Sequence, residues 1–403
     1  MPKKNKISFF DKLKSFFKNL TFKDVLKGIK NISIAFLMYL KNAIKRIQPS
    51  LIAIGIGLIA GIIVMLIFNP ERTLWGFSRL LIGGFSFGIR GFAAMLHQST
   101  TIILTGLAVV FAFRTGLFNI GASGQMMMAA YVTAHVGVLW TIPAPFHWMI
   151  AIILGTLAGL VWGLIPGLLK AYRNVNEVVT SIMLNWIAAN LLVFLIVRNI
   201  ANPQNTSISL RIQETAQIPY LFRGLIGGTS QLTIGFLIAI AVAIIVHIVI
   251  YKTTLGFQLR ASGFSMDGSK YAGMNTKRNI ILSMGISGAI AGLAGALLFS
   301  NRGKTHHANV EIFAEGFEGI SVALLGLGEP IGAIFAGLFL SHIKSGGVFM
   351  QPHFVPEISS MIIGVIIYVT AISVSLQLIF KKWGKEIKSF FQKKKDKPEE
   401  DKS

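Results

Sequence analysis

Uninterrupted apolar runs of about 20 residues constrain the fold of this chain more than any other feature. Wound as a helix at about 1.5 Å per residue, such a run crosses a hydrocarbon core of roughly 30 Å. Hydrophobic residues make up 53% of the 403 residues and charged residues only 13%, whereas an ordinary soluble domain has about 25% charged residues. These features exclude a soluble enzyme and a disordered chain. Eight runs are clear spanning candidates: 49–68, 95–113, 121–140, 147–169, 178–197, 233–251, 279–299 and 357–380.

The basic residues are concentrated outside these runs. The chain has 38 Lys and Arg against 16 Asp and Glu, and the excess lies in the tails 1–48 and 381–403 and in the connection 252–278. Basic residues in the tails and in alternate connections are typical of the cytoplasmic side of a membrane protein. The charge therefore indicates topology and contact with anionic membrane lipids, and it argues against a nucleic-acid partner.

The sequence predicts an all-α fold, a polytopic membrane helix bundle of about 8–10 spans with both termini cytoplasmic. A basic leader, 1–48, lies in the cytoplasm or along the inner membrane interface. A transmembrane domain, 49–380, contains the cytoplasmic loop 252–278, and a basic cytoplasmic tail, 381–403, follows.

Two stretches do not read as simple spans. Segment 317–345 is apolar but is interrupted by Gly326, Gly328 and Pro330. We expect two short helices there, which either enter the membrane and return or cross it and recross; such breaks are tolerated where protein or a water-filled cavity surrounds them. Segment 73–92 is amphipathic and is expected to lie at the membrane interface.

The chain lacks the groups that drive uphill transport or catalysis. It has no cysteine, no nucleotide-binding Gly-rich loop ending in Gly-Lys-Ser/Thr, and no zinc-protease or serine-hydrolase motif. The centres of the eight runs carry no Asp, Glu, Lys or Arg, which argues against a proton- or ion-coupled carrier. We therefore expect neither an enzyme nor a metal site, and any energy for transport must come from another subunit.

Small residues recur at four-residue spacing along several runs. Gly57 and Gly61 are one pair; the others are the row Gly155, Gly159, Gly163 and Gly167 and the pair Gly288 and Gly292. Such rows let helix backbones approach closely, so they predict tight packing between helices.

Two polar stretches interrupt the apolar runs. In 114–125, glycines loosen the helix beside Asn119 and Gln125, either to meet a polar solute or to form a tight capped turn between helices. In 176–190, the amides of Asn176, Asn185 and Asn190 either bond a neighbouring helix or line a solute pathway. Spacing alone leaves both pairs of alternatives open.

A third stretch, 255–275, lies in the basic inner loop. Ser265 is placed to cap a short helix that runs to about Tyr271, with Asp267 in its first turn and Gly273 at its end. A short amphipathic helix at this place is either a docking element or an ordinary connection.

Four motifs in this order resemble the permease subunits of bacterial ABC importers, in the branch that carries branched-chain amino acids, ribose and nucleosides, and most closely the nucleoside permeases. Residues 116–125 match Gly-Leu-Phe-Asn-Ile-Gly-Ala-Glu-Gly-Gln with Ser123 in place of Glu, and 176–185 match Asn-Glu-Val…Met-Leu-Asn. Residues 260–273 match Arg-Ala-x-Gly…Tyr-Ala-Gly, and 316–326 match Gly-Phe-Asp-Gly-Ile-x-Val-Ala-Leu-Leu-Gly with Glu318 in place of Asp. The resemblance covers about 75–390.

The resemblance implies that the chain forms the nucleoside pathway of an importer in a bacterial plasma membrane. ATP and Mg²⁺ would bind a separate cytoplasmic ATPase. The other implied partners are a second permease, often a different chain, and an external substrate-binding protein, a lipoprotein in many such systems. Sugars or branched-chain amino acids are the alternative substrates, and an ion-coupled secondary transporter or a membrane scaffold or channel are the alternative classes. The residues implied in coupling to the ATPase are Arg260, Ala261, Gly263, Asp267, Tyr271, Ala272 and Gly273, and those implied in the pathway are Asn119, Gln125, Asn176, Asn185 and Asn190.

Overall fold

The computed structural model describes residues 48–222, 231–301 and 305–372. The predicted leader helix and most of the basic tails lie outside the described residues. The chain divides into two units, 1–52 and 53–403. Of the first unit only 48–52 are described, as the start of a helix, and every other described residue belongs to the second unit.

The architecture is helical, as predicted. The helices, in chain order, are α1 Gln48–Phe68, α2 Thr73–Ile82, α3 Gly88–Arg114, α4 Ala122–Leu139, α5 Phe146–Arg173, α6 Glu177–Asn199, α7 Gly235–Lys252, α8 Thr254–Phe264, α9 Met266–Tyr271, α10 Thr276–Phe299, α11 Ala314–Leu325, α12 Pro330–Phe349 and α13 Glu357–Ile372. Among the described residues, seven helices are long and apolar enough to cross a membrane: α1, α3, α5, α6, α7, α10 and α12. The polytopic bundle is therefore confirmed, and the described part supplies seven spans of the 8–10 expected.

Two predicted spans, 121–140 and 357–380, form helices that are not both long enough and apolar enough to count among these seven. Helix α4 carries Ser123, Gln125 and His135, so it is less apolar, yet most of its residues are buried between α5, α6 and α10. It is a core helix of the bundle. Helix α13 has 16 residues up to Ile372, where the described part ends. Segment 73–92 forms α2, a short 3₁₀ turn and the start of α3.

The glycine rows are helix–helix contacts, as predicted. A Cβ added at Gly159 would lie 2.5 Å from Cα of Gly292, and one at Gly163 would lie 2.8 Å from Cα of Gly288. Helices α5 and α10 therefore cross backbone to backbone, and α10 in turn packs on α3 and α4. The predicted pair in α1 instead makes room for side chains of α13, with Gly57 against the side chain of Ile366 and Gly61 against that of Ile362.

Segment 317–345 breaks where the sequence predicts. Helix α11 ends at Leu325 and α12 begins at Pro330, with Leu327 at φ 57° and Gly328 at φ 64° in the turn between them. The second helix has 20 residues, so it is longer than the two short helices predicted. The first has 12 residues and packs on α3 and α4.

A small β-hairpin follows α6 and was not predicted. Strand β1, Ala201–Asn202, pairs antiparallel with β2, Asn205–Ser209. The hairpin is fastened by His306: its backbone N–H donates to Oγ of Ser209 (2.9 Å), and its ring stacks on Phe299 with centroids 3.6 Å apart. The connection between α10 and α11 is thus tied to the one between α6 and α7.

Acidification is expected to loosen this hairpin. Burial lowers the pKa of His306 from 6.5 to about 3, so the ring is neutral when docked. Below pH 6.5 the His306 ring takes up a proton only when the hairpin is undocked. The stability of the docked hairpin therefore decreases as the pH falls from 6.5 to about 3. At pH 5 the expected loss is about 2 kcal/mol.

Hydrogen exchange of 201–209, corrected for the intrinsic pH dependence, measures this loss between pH 7 and 5. His306→Gln keeps a side-chain donor but cannot titrate, so its corrected exchange should not change with pH. Equal pH dependence in both proteins would contradict the assignment.

Candidate solute pathway and coupling site

The connection between α3 and α4 folds back into the bundle. Oγ of Ser287 in α10 donates to the carbonyl of Ala108 (2.6 Å), and Nδ2 of Asn119 donates to Oγ of Ser287 (2.7 Å). Ala108 lies roughly 9 Å along α3 before its end at Arg114. Helix α4 therefore begins inside the bundle, after a turn that uses Gly116 at φ 72°.

Asn119 and Gln125 form a closed amide pair at this turn. Nδ2 of Asn119 donates to Oε1 of Gln125 (2.9 Å), and Nε2 of Gln125 donates back to Oδ1 of Asn119 (3.2 Å). Oδ1 of Asn119 also accepts from the N–H of Gly121 (2.9 Å). Both side chains are buried, so in this conformation the amides hold the turn together.

Asn185 fastens α6 to the same turn. Its Oδ1 accepts from the N–H of Gly124 (2.8 Å), and its Nδ2 donates to the carbonyl of Ile120 (3.0 Å). The first two sequence motifs therefore meet in space, because the side chain of Asn185 bonds two backbone groups of the first motif. Buried backbone groups need such partners.

The other two predicted pathway residues lie apart from this cluster. Asn176 is exposed and caps α6, accepting from the N–H groups of Val178 and Val179. Asn190 is exposed on the outer face of α6, where Nδ2 bonds the carbonyl of Trp186 (2.8 Å). Of the five residues, three are brought together, and contact of any of them with solute stays a prediction.

Helices α4 and α11 begin side by side. Oγ of Ser123 donates to the carbonyl of Phe313 (2.9 Å), directly before α11. Gly316 packs against Ser123, where a Cβ would lie 2.5 Å from the backbone nitrogen. Ser123, which stands where the family motif has Glu, thus joins the first and fourth motifs.

A cavity of about 460 Å³ opens between α3, α11 and α12. Glu318 and Lys344 form an ion pair in its wall, with Oε1 and Nζ 2.5 Å apart. Gln98 and Ser345 lie beside the pair, and Phe349 contributes an aromatic wall. None of these residues was predicted as a site residue, although Glu318 and Lys344 stand out in the sequence as charges within an apolar segment.

The predicted coupling segment contains two helices, α8 and α9. The capped helix is confirmed: Oγ of Ser265 accepts from the N–H of Gly268 (3.1 Å), Asp267 lies in the first turn, and Gly273 has φ 77° after its end. Helix α8, before it, was not predicted. It is held to α10 because Nδ2 of Asn279 donates to Oγ of Ser262 (2.7 Å).

The predicted coupling residues separate into an inner and an outer group. Gly263 packs on the turn after α3, where its Cβ would lie 2.7 Å from the nitrogen of Gly116. Arg260 packs inward over Tyr251, and Ala261 is half-buried. The outer group is exposed and free to meet another protein: Asp267, Tyr271, Ala272 and Gly273.

Four side chains join the coupling segment to the break between α11 and α12: Arg114, Tyr251, Arg260 and Glu329. Arg114 donates to the carbonyl of Gly328 (2.7 Å) and to Oε1 of Glu329 (2.6 Å), and the hydroxyl of Tyr251 donates to Oε2 of Glu329 (2.7 Å). The guanidinium of Arg260 lies 5.2 Å from the centroid of the Tyr251 ring. We call these four residues the break cluster. Of the four, only Arg260 was predicted as a site residue.

Comparison with known proteins agrees with this architecture. The family described as "Branched-chain amino acid transport system / permease component" matches residues 91–371. The chain is 38% identical over 340 residues to the guanosine ABC transporter permease protein NupP of Bacillus subtilis, covering 83% of this chain and 96% of that protein. It is 34% identical over 357 residues to the nucleoside ABC transporter permease protein NupB of Lactococcus lactis, covering 85% and 95%.

More distant relatives include second permeases from the same two organisms. The guanosine permease NupQ of Bacillus subtilis is 24% identical over 80% of its length, and the nucleoside permease NupC of Lactococcus lactis is 28% identical over 82%. No solved structure matches the chain. The seven apolar helices in the described part of the chain, together with these relatives, make it a multi-pass protein of the bacterial plasma membrane. With more than two thirds of its length matched, the chain belongs to the branched-chain amino acid transport system permease family.

Proposed function

We propose that this chain is a permease subunit of an ABC importer and conducts nucleosides across the membrane. The exposed surface formed by the end of α8 and by α9 is the observation that carries the proposal. Phe264 and Tyr271 are each 95% exposed on a segment whose other side is packed on the membrane helices. Large aromatic side chains left in water at a rigid projection favour a docking surface for another protein.

The partner at this surface is a cytoplasmic ATPase that binds ATP and Mg²⁺, and both chain termini lie on the same side of the membrane as it does. A second permease completes the pathway; the paired guanosine and nucleoside permeases of two organisms favour a different chain for this role. An external binding protein, in lipoprotein form in many such importers, delivers the solute.

Nucleosides are favoured as the solute by the relatives' names and by the apolar bundle. NupP and NupB are named for guanosine and nucleosides. A nucleoside is uncharged, and its hydroxyls and base edges need hydrogen bonds rather than counter-ions, which suits spans that hold few charges.

Affinity purification in mild detergent tests the assembly. An ATPase and a second permease should co-purify with the full chain, and the reconstituted complex should accumulate labelled guanosine only with hydrolysable ATP. Accumulation by the isolated chain under an ion gradient without ATP would overturn the proposal. ATP-driven uptake of a sugar or an amino acid but no nucleoside would overturn the substrate assignment alone.

Tyr271→Glu is expected to lower ATP-driven uptake at least tenfold. The substitution places a charge at the centre of the proposed docking face, where a buried unpaired charge is costly, but it touches nothing within this chain's core. Uptake and ATPase co-purification are the measurements. Tyr172→Glu, at an exposed position outside the coupling segment, is the control and should retain uptake. A Tyr271→Glu complex with normal uptake would remove the docking role from α9.

Glu329→Gln is expected to lower uptake about tenfold while ATP hydrolysis continues. The neutral amide weakens the bonds from Arg114 and Tyr251, each worth more when the acceptor is charged. Arg114 and Glu329 are partly exposed, so solvent screens their interaction and the expected effect is no larger than tenfold. Glu177→Gln breaks the ion pair with Lys170 in a different connection and should change uptake less than twofold. Equal effects of the two substitutions would deny the break cluster a role in coupling.

A further inference from the structure

The cavity between α3, α11 and α12 takes no part in the contacts of the coupling segment or the break cluster. We propose that it binds the transported solute, and that Glu318 and Lys344 select an uncharged nucleoside over its phosphorylated form. The inference rests on the proposed function and adds two things: where the solute binds, and how its charge decides whether it is accepted.

The cavity lies away from the coupling segment. Its walls include Gly91 near the start of α3, Leu298 near the end of α10 and Phe349 at the end of α12. The opposite ends of α3 and α12 meet at Arg114 and Glu329, beside the coupling segment. A solute entering here therefore approaches from the side facing away from the ATPase, as an importer requires.

The dimensions and the walls suit a nucleoside. A volume of about 460 Å³ falls within the range of small-molecule sites, roughly 300–1,000 Å³. Ile102, Leu298 and Phe349 offer apolar faces for a base, and Gln98, Thr101 and Ser345 offer hydrogen-bonding groups for hydroxyls. Such a division into apolar and polar walls is typical of sites for neutral ring-containing ligands.

The charges of the cavity disfavour an anion. Glu318 and Lys344 neutralise each other through one short contact, and Glu315 in the same wall adds a further carboxylate. Lys344 keeps N–H groups that can donate to a base or a hydroxyl. Among the described residues, Oε2 of Glu318 has no hydrogen-bond partner but is buried, so it can accept from a solute only after the carboxylate rotates toward the cavity. The pair can therefore hydrogen-bond a neutral solute, but a phosphate would meet an excess of negative charge.

The absence of cysteine in the whole sequence allows a direct test of occupancy. Ser345→Cys places one thiol in the cavity wall of the complete transporter in nanodiscs. Saturating guanosine should slow its modification by a charged methanethiosulfonate at least fivefold. Ser78→Cys, at an exposed position in α2, is the control and should react equally with and without guanosine. A Ser345→Cys thiol that guanosine does not protect, or that does not react at all, would overturn the cavity as the binding site.

Selectivity tests the role of the ion pair. Glu318→Gln leaves Lys344 as an unpaired cation, so the KM for guanosine should rise about tenfold, the expected loss of a charged hydrogen bond, and guanosine monophosphate should begin to compete. Glu318→Asp, the residue of the family motif, keeps the charge and should still exclude the monophosphate. If Glu318→Gln alone fails to assemble, the double variant Glu318→Gln with Lys344→Met removes both charges. Its KM for guanosine should rise, and guanosine monophosphate should not compete.

The outcomes separate this inference from the proposed function. A wild-type complex that imports no nucleoside would refute the function itself. A wild-type complex that imports guanosine, but whose Glu318 variants keep the same KM and still exclude the monophosphate, would refute the inference alone. A cavity that holds lipid would likewise leave the KM and the exclusion of the monophosphate unchanged in the Glu318 variants. In that case the modification of Ser345→Cys would depend on lipid composition and not on guanosine.

Discussion

Gly263→Val is expected to abolish ATP-driven uptake in a transporter that still assembles in the membrane. A Cβ at this position would lie 2.6 Å from the carbonyl carbon of Thr115 and 2.7 Å from the nitrogen of Gly116. Backbone atoms cannot yield as a flexible side chain can, so α8 must shift away from the turn that follows α3. Because that turn carries Asn119 at its far end, the displacement separates the coupling segment from the amide pair that holds α4.

Proteoliposome uptake, measured beside ATP hydrolysis, detects this loss as hydrolysis without transport. Gly364→Val is the matched control, since it lies in α13, away from the coupling segment, and a Cβ there meets nothing within 4 Å. We expect that variant to retain uptake. Normal transport by Gly263→Val would mean that the contact with Gly116 does not transmit motion from the coupling segment to the turn after α3.

Gly159→Leu is expected to remove most of the folded protein from the membrane. The new side chain would start 2.5 Å from Cα of Gly292 and 2.7 Å from the carbonyl oxygen of Gly288, so α5 and α10 would have to separate. Overpacking a dense core costs about 1–3 kcal/mol, and more where backbone must move. Since α10 also packs on α3 and α4, the separation would spread through the bundle.

Monodisperse yield after detergent extraction and thermal stability of the purified protein measure this effect. Gly55→Leu is the control, because a Cβ there meets nothing within 4 Å, and its yield should match the unaltered protein. A stable Gly159→Leu protein with an unchanged α5–α10 contact would contradict the close crossing.

Local patterns predicted the elements well because each depends on neighbours in sequence. The capped helix after Ser265, the glycine rows and the break between Gly326 and Pro330 follow from capping, spacing and backbone freedom, which are properties of short stretches. The same reasoning could not decide whether Asn119 and Asn185 meet solute or protein. That answer depends on partners distant in the chain, Ser287 and Gly124, which no periodicity reveals.

The cavity and the break cluster were missed for the same reason. The second half of α11, a turn and most of α12 lie between Glu318 and Lys344 in the chain. Tyr251 reads in sequence as the ordinary end of an apolar helix. Charges within an apolar segment were a usable signal, since such residues rarely lie in a membrane without a partner or a task. Their pairing, however, required the folded chain.

The outer face of α6 bears on how the cell keeps the subunits of this transporter in balance. Asn190 lies on that face among Met183, Trp186, Ile187 and Phe194, all exposed. We expect the second permease to cover this face. A copy made in excess of its partners would then leave the carbonyl oxygen of Asn190, whose Nδ2 is bonded to Trp186, in contact with acyl chains, where an unpaired polar group is costly. Surplus copies are therefore expected to be degraded faster than assembled ones, which would hold the stoichiometry without a dedicated regulator.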